Sequence, residues 1–213
     1  MTDFLIWMAI LATLMSPILA VLYLIQWKRN DLAYRWFTLY LVVVGVIQLW
    51  QFYLVNIADE MQNLHLFKYY LLLEFVTLSM CFRYLLAKKW ISVVMWFMIL
   101  FLVLQYWIYP ELMVMYNPLG IWLSHCLLFV YALMHLYRSL SIGSSFVLIS
   151  GGFVVYLMGS AVAFSAGNIY MDVRIPKDIV VFLASINSLL YFGLEVLIAF
   201  TWWKNYSNRR IHS

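Results

Sequence analysis

A single acidic side chain in a long apolar stretch is the residue of this sequence best suited to chemistry. Glu74 lies near the middle of the stretch from Asn63 to Lys89, which also carries His65 and Lys68 near its start. A carboxylate inside a hydrophobic span is unfavourable unless it is paired, protonated or functional. The way in which Glu74 is satisfied therefore decides what this chain can do.

Polar residues on other apolar stretches fall at a comparable depth. Counted inward from the predicted outer ends at about 1.5 Å per residue, the depths are about 12 Å for Gln48 and His125, about 13 Å for Asn187 and about 14 Å for Glu74. Because lipid-facing placement of so many polar groups is costly, we expect most of them to point inward. The sequence predicts an outward-facing polar pocket with Glu74 at its floor, lined by Gln48, Gln51, His65, Lys68, Glu74, Gln105, His125 and Asn187. The alternative is a set of hydrogen bonds between helices that only fix their packing.

The composition determines which elements must position these residues. Of 213 residues, 67% are hydrophobic and 10% are charged, far from the composition of a soluble protein. Crossing a bilayer takes about 20 apolar residues, and seven such stretches use up most of the chain. The sequence predicts an all-α integral membrane protein, a single domain over residues 1–213 made of a seven-transmembrane-helix bundle. The predicted spans cover residues 4–27, 36–57, 64–87, 90–109, 119–136, 146–166 and 179–203.

The distribution of basic residues between the loops predicts the orientation. Most of them fall on one side: Lys28, Arg29, Arg35, Arg83, Lys88, Lys89, Arg138, Lys204, Arg209 and Arg210. Only Lys68, Arg174 and Lys177 fall on the other. The positive-inside rule then puts the N-terminus outside and the C-terminus in the cytoplasm of a multi-pass inner (plasma) membrane protein. The net charge of +4 reflects these loops, and no nucleic-acid partner is expected. The start of the chain lacks the basic region of a cleavable signal peptide, so we expect the first span to be retained.

The two buried acids need partners. Lys68 precedes Glu74 by six residues, about 9 Å along a helix and off the i+3 and i+4 positions, so a direct pair is not expected. His125 is the better candidate if the two helices face each other. Glu195, in the last span, is interpreted as a structural residue within reach of Arg83 only where their helices adjoin. In the sixth span, a small-residue face for close helix packing is predicted at Gly151, Gly152, Gly159 and Ser160.

Familiar catalytic and cofactor patterns are absent from the sequence. Zinc hydrolase spacing, a G-x-S-x-G motif and glycine-rich phosphate loops do not occur. The last span has no lysine before Lys204, which excludes retinal chemistry, and Cys81 and Cys126 lie in different spans, too far apart to bridge. We expect no metal and no cofactor. Glu74 and His125 are the candidates for catalysis, although no catalytic role is assigned to them.

Two segments carry a resemblance to known proteins. The run from Asn63-Leu64-His65 to Glu74-Phe75, and Ser185-Ile186-Asn187 before a basic tail, resemble a group of small seven-helix inner-membrane proteins from Bacteroidetes. The resemblance covers the third helix and the last two, and it implies a location in the inner membrane rather than an activity.

The predicted function follows from an outward polar pocket without a catalytic motif, a transporter repeat or an output domain. The sequence favours a small membrane sensor or regulatory or assembly subunit, receptor-like in topology. It would contact membrane lipids and signal to a membrane or cytoplasmic protein through the basic inner loops and tail. The alternatives are an intramembrane lipid-acting enzyme using Glu74 and His125, or a small solute- or proton-coupled transporter. An enzyme predicts lipid turnover by the purified protein alone, whereas a sensor predicts none.

Overall fold

The computed structural model describes residues 2–56, 64–115, 117–165 and 177–206, and these are helical without any strand. Short 3₁₀ segments occupy Leu64–Leu66 and Pro110–Met113. The seven α-helices are α1 (Thr2–Ile25), α2 (Leu32–Asn56), α3 (Phe67–Leu86), α4 (Trp90–Ile108), α5 (Pro118–Ile142), α6 (Val147–Ser165) and α7 (Lys177–Tyr206). The predicted all-helical fold is confirmed for these residues. Residues 57–63 and 166–176, which contain most of two predicted loops, and residues 207–213 of the basic tail lie outside them.

Several of these helices are suited to a bilayer. In the described residues, five helices (α2, α3, α4, α5 and α7) are long and apolar enough to cross a membrane. The other two, α1 and α6, contain the shorter apolar segments Ile10–Ile25 and Val147–Ala163. Length and composition are therefore those of a membrane protein.

Six of the helices form a closed ring. The main contacts run from α1 to α2, α3, α5, α6 and α7 in turn, and α7 packs back against α1. In contrast, α4 has its main helix contact with α3 alone and lies outside the ring. Its outer face carries large exposed side chains such as Trp96, Phe97 and Trp107, the last of them 77% exposed. Such a face is suited to lipid.

Specific residues set the helix ends. The Asp31 carboxylate accepts a hydrogen bond from the Tyr34 backbone N–H at 2.9 Å, so α2 begins at Leu32 rather than at the predicted span start, 36. α5 passes its predicted end at 136 and stops only at Gly143, whose φ of 74° favours glycine. The guanidinium of Arg138, on the added turn, donates to the Leu86 carbonyl at the end of α3 at 2.7 Å. The inner ends of α3 and α5 are thereby joined.

An aromatic core fills the half of the ring nearer the predicted inner face. Phe37, Phe82, Phe146 and Phe153 are all buried, and the Phe37 and Phe146 rings meet edge to face at 5.0 Å between centroids. This geometry is favourable for aromatic pairs. The cluster closes the ring on the inner side of the polar residues described below.

Small residues allow close approach of neighbouring helices. β-Carbons built at Gly152 would lie 2.9 Å from side-chain atoms of Leu194 and Leu197, and Gly159 is covered by Leu190, so both face α7. The predicted small-residue face is confirmed at these two glycines. It is wrong at Gly151, where a built β-carbon would have no neighbour within 4 Å among the described residues.

Candidate functional site

Glu74 and His125 meet between α3 and α5. Oε2 of the carboxylate lies 3.5 Å from Nε2 of the imidazole, within ion-pair distance. The glutamate is 1% exposed and the histidine 2% exposed. The predicted proximity of these two residues is therefore confirmed. The contact joins two helices of the ring at mid-height.

A tyrosine covers the carboxylate from the predicted outer side. Tyr70 lies one helical turn before Glu74 on α3, and its hydroxyl donates to Oε1 at 3.0 Å. The same hydroxyl lies 3.5 Å from that of Tyr156 on α6. Each carboxylate oxygen of Glu74 thus has one polar neighbour, the imidazole at one oxygen and the phenol at the other.

The second imidazole nitrogen of His125 contacts a serine. Nδ1 lies 3.2 Å from Oγ of Ser160 on α6, which also lies 3.3 Å from the Leu157 carbonyl of its own helix. Hydroxyl, imidazole and carboxylate follow one another in the order found when a base activates a nucleophile. The same order is suited to sharing a proton, because a neutral imidazole donates at one nitrogen and accepts at the other. The residues Glu74, His125, Tyr70 and Ser160 are called the Glu74 site below.

The Glu74 site is largely buried in this structure. Besides Glu74 and His125, Ser160 is fully buried, and Tyr70 is partly buried above the carboxylate. The sequence predicted a carboxylate at the floor of an outward-open cavity. Among the described residues this carboxylate is buried, with Tyr70 on its predicted outer side, and the opening of a cavity toward the outer face stays a prediction.

Two of the predicted pocket residues are engaged elsewhere. The Lys68 ammonium lies 5.2 Å from the centroid of the neighbouring Tyr69 ring, a cation–π geometry. The Gln105 carbonyl accepts a hydrogen bond from the Asn117 side chain at 2.9 Å. Asn117 in turn caps α5 by accepting from the Gly120 backbone N–H at 2.8 Å. Gln105 therefore helps to fix the start of α5.

The other four predicted pocket residues are partly buried. Gln48 is partly buried on α2 beside Tyr191 of α7. Asn187, also on α7, is partly buried, and the side-chain oxygens of Gln48 and Asn187 form no hydrogen bond with the described residues. Gln51 on α2 and His65 in the first 3₁₀ segment are partly buried.

A second buried carboxylate lies across the ring. Glu195 of α7 is 1% exposed, and its Oε1 accepts a hydrogen bond from the Ser16 hydroxyl of α1. The Ser16 hydroxyl also contacts that of Tyr191. Arg83 lies elsewhere, with its guanidinium over the Tyr84 ring at 5.3 Å. The residues Glu195, Ser16 and Tyr191 are called the Glu195 site below.

Tyrosines occupy the space between the two carboxylates. The Tyr156 and Tyr191 rings lie 5.5 Å apart between centroids. Tyr40 of α2 is buried, its hydroxyl has no hydrogen-bond partner among the described residues, and it lies within electrostatic reach of Glu74 and Glu195. The sequence interpretation missed these tyrosines. Tyr70 could have been found from its i−4 spacing to Glu74, whereas Tyr156 and Ser160 carry no sequence signal that pairs them with α3 or α5.

Metal and thiol chemistry have no support in this arrangement. In the part of the chain that the structure describes, no three His, Cys, Asp or Glu side chains are grouped to hold a metal ion. Cys81 is a buried free thiol and Cys126 an exposed one.

Comparisons with known proteins return nothing similar. No protein-family model matches the chain, and neither a curated protein nor a solved structure matches it. Function therefore has to be argued from the geometry of the two sites.

Proposed function

We propose that this chain is a small polytopic inner-membrane sensor or regulatory subunit that passes its state to a partner protein. The observation that carries the proposal is the buried contact between Glu74 and His125 on adjacent helices. Ionisable side chains inside a membrane are costly and mark functional sites by default. Histidine also changes its charge under physiological conditions more readily than any other side chain. Such a pair is suited to switching between two states.

The signal would arrive from outside. In this proposal all seven helices cross the membrane with the N-terminus outside and the C-terminus in the cytoplasm. The distribution of basic loop residues supports this orientation. Tyr70 separates the Glu74 carboxylate from the predicted outer surface, while the aromatic core closes the inner side. A change of the Tyr70 side-chain position would open the Glu74 site toward the predicted outer surface.

The output would leave through the inner ends of α3 and α5. These helices are joined twice, by Glu74 and His125 at mid-height and by Arg138 and the Leu86 carbonyl at the inner end. A change in the first contact would alter the spacing that the second one holds. The exposed Lys88 and Lys89 directly follow α3. A partner with an acidic surface, or anionic lipid headgroups, would recognise this basic segment.

The rate at which the inner segment reacts with a thiol reagent tests the proposal. A Lys88→Cys substitution, made in a Cys126→Ser background, introduces an exposed thiol while Cys81 stays buried. Glu74→Gln should change the labelling rate of this thiol several-fold, because the amide that replaces the carboxyl group beside His125 cannot ionise. Glu111→Gln, at an exposed acid near the second 3₁₀ segment, is the matched control and should leave the rate unchanged. Equal rates in all three proteins, with intact folding, would show that the Glu74 site does not reach the inner face.

A lipid-acting enzyme is the second candidate, favoured by one specific contact. The Ser160 hydroxyl lies 3.2 Å from His125, which contacts Glu74 in turn, so a serine, a base and an orienting acid are in sequence. The hydroxyl is fully buried and also faces the Leu157 carbonyl, which is the ordinary position of a serine inside a helix. Turnover of an ester lipid by the purified protein, lost in Ser160→Ala and kept in Ser79→Ala, would establish this activity. Accumulation of a solute in vesicles holding the protein alone would instead establish a transporter.

A further inference from the structure

The Glu195 site is a built polar centre that the proposed sensor function does not use. Its carboxylate is buried where α7 packs on α1 and accepts from Ser16, while its second oxygen, Oε2, has no hydrogen-bond partner among the described residues. The backbone at Ser16 and Pro17 is in turn tightly covered by α2, since a β-carbon at Gly45 would lie 3.1 Å from the Pro17 Cα. α2 therefore covers the part of α1 that contacts this carboxylate.

Hydroxyl groups extend from each carboxylate toward the other. From Glu74, the hydroxyls of Tyr70 and then Tyr156 follow at 3.0 and 3.5 Å. From Glu195, the hydroxyls of Ser16 and then Tyr191 follow. The Tyr156 and Tyr191 rings are neighbours, with centroids 5.5 Å apart. The two polar chains thus meet at this pair of tyrosines, near the Tyr40 hydroxyl, which has no hydrogen-bond partner among the described residues.

We propose that the Glu74 and Glu195 sites form one proton-binding core, in which a proton bound at either carboxyl group alters binding at the other through the tyrosines between them. The proposal rests on the proposed function only in taking Glu74 as the responsive group, and it names the proton as the ligand. Binding converts a carboxylate into a carboxylic acid, without any redox change. Each phenol can pass a proton on by accepting one and donating its own.

The surroundings of Glu74 favour a proton over a larger ligand. The groups that face it are Tyr70 on its own helix, Tyr40 from α2, His125 from α5 and Tyr156 from α6. Helix α4, which also packs on α3, contains no Asp, Glu, Lys, Arg or His within Trp90–Ile108. The site is largely buried, and a proton needs no open pocket.

The surroundings of Glu195 are free of cationic side chains in the contacts that the structure describes. The groups that face it are Tyr191 on its own helix, Ser16 from α1, Tyr40 from α2 and Tyr156 from α6. α6 contains no Asp, Glu, Lys, Arg or His within Val147–Ser165. Repulsion between two ionised carboxylates in one apolar core is the means by which a proton bound at one would alter binding at the other.

Infrared difference spectra of the full chain in lipid vesicles, recorded as a function of pH, test this proposal. The C=O band of each protonated carboxyl group is assigned by its loss in Glu74→Gln and in Glu195→Gln. The pH midpoint of the Glu195 band should fall by about one unit or more in Glu74→Gln, as expected for strongly interacting sites. An unchanged midpoint would overturn the proposal, and so would a Glu195 midpoint that depends on Na⁺ concentration at constant ionic strength.

Two tyrosine variants separate the tyrosine path from a general effect of the fold. Tyr156→Phe removes the hydroxyl between the sites and should reduce the shift of the Glu195 midpoint that Glu74→Gln causes. Tyr131→Phe removes a buried hydroxyl that has no hydrogen-bond partner among the described residues, and it should leave that shift intact. Equal shifts in both backgrounds would overturn the role of the tyrosines. The Lys88→Cys labelling rate reports transmission to the inner face. If Glu74→Gln left this rate unchanged but shifted the midpoint of the Glu195 band, the proposed sensor function would fail and the proton-binding core would stand.

Discussion

At the scale of single residues, Glu74 and His125 depend on each other because both are removed from water. Oε2 of the carboxylate has no hydrogen-bond partner in the described residues, and loss of His125 would also remove the imidazole that lies 3.5 Å from it. Removing one member of a buried pair costs more than the pair itself contributes. The cost therefore depends on what occupies position 74.

This dependence predicts a double-mutant cycle with a large interaction energy. His125→Leu should lower the free energy of unfolding more when Glu74 is present than when Glu74→Gln has replaced the carboxylate with a neutral amide. The difference should be about 0.5–3 kcal/mol, the range for residues in contact. Reversible denaturation in mixed micelles measures it.

A second histidine on α5 provides the control for this cycle. His135 lies ten residues further along the helix, where its Nδ1 faces the Ser150 hydroxyl at 2.7 Å. His135→Leu should be additive with Glu74→Gln within about 0.5 kcal/mol, because the two residues share no partner. If His125→Leu were also additive with Glu74→Gln, the contact between Nε2 of His125 and Oε2 of Glu74 at 3.5 Å would not contribute to stability.

The sequence predicted the part of the Glu74 site that depends only on how deep each residue lies in the membrane. Counting residues along two helices brought Glu74 and His125 to one level, and the structure joins them. Depth says nothing about which face of a helix a residue occupies within a ring of six. Gln105 was therefore assigned to the pocket although it binds Asn117, and Ser160 was assigned to packing although it contacts His125.

At the scale of helices, the packing of α1 against α2 depends on one residue without a side chain. A β-carbon at Gly45 would lie 3.1 Å from Cα and 3.2 Å from N of Pro17, and both are backbone atoms that cannot rotate away. Pro17 lies inside α1, where the ring removes one backbone donor and favours a bend. The close approach of α2 to this part of α1 therefore depends on the absence of a side chain at Gly45.

This close approach predicts opposite effects of alanine at two glycines. Gly45→Ala should destabilise the protein, by about 1–3 kcal/mol for an overpacked contact, because α1 and α2 must separate. Gly151→Ala should be neutral or stabilising by up to about 1 kcal/mol, because a β-carbon there has no neighbour within 4 Å and alanine favours the helix. Thermal unfolding followed by circular dichroism compares the two. Equal effects would argue against the close approach at Pro17.

Helix ends were predicted less well than helices, for a local reason. Residues 28–35 lie between two predicted spans, but Asp31 caps α2 among them. Likewise, the predicted fifth span ends at 136, although α5 continues to Ile142 before Gly143 stops it. Hydropathy marks where the hydrocarbon region ends, and a helix can extend beyond it.

At the scale of the whole molecule, the ring and the isolated α4 divide the helices into two roles. The ring helices bury the two carboxylates, while α4 presents most of its surface outward. Sequence order alone does not reveal this, since α4 is as apolar as a buried helix. The hydrophobic residues of α4 lie all around the helix, so its sequence does not show which face packs on the bundle. Its contact with α3 depends on how the other six helices are arranged.

The sidedness of the bundle predicts which exposed positions a membrane-impermeant thiol reagent can reach in intact cells. Three exposed residues mark the ends of helices. Lys88 follows α3, Glu111 lies between α4 and α5, and Lys204 lies in the last turn of α7. In a Cys126→Ser background, Glu111→Cys should react before permeabilisation, whereas Lys88→Cys and Lys204→Cys should react only after it. Lys204 is informative about α6, whose apolar segment Val147–Ala163 is short. If α6 does not cross, α7 ends outside, and Lys204→Cys would then react in intact cells like Glu111→Cys. Reaction of Lys88→Cys and Lys204→Cys in intact cells, without reaction of Glu111→Cys, would reverse the orientation and move the Tyr70 side of the Glu74 site to the cytoplasmic face.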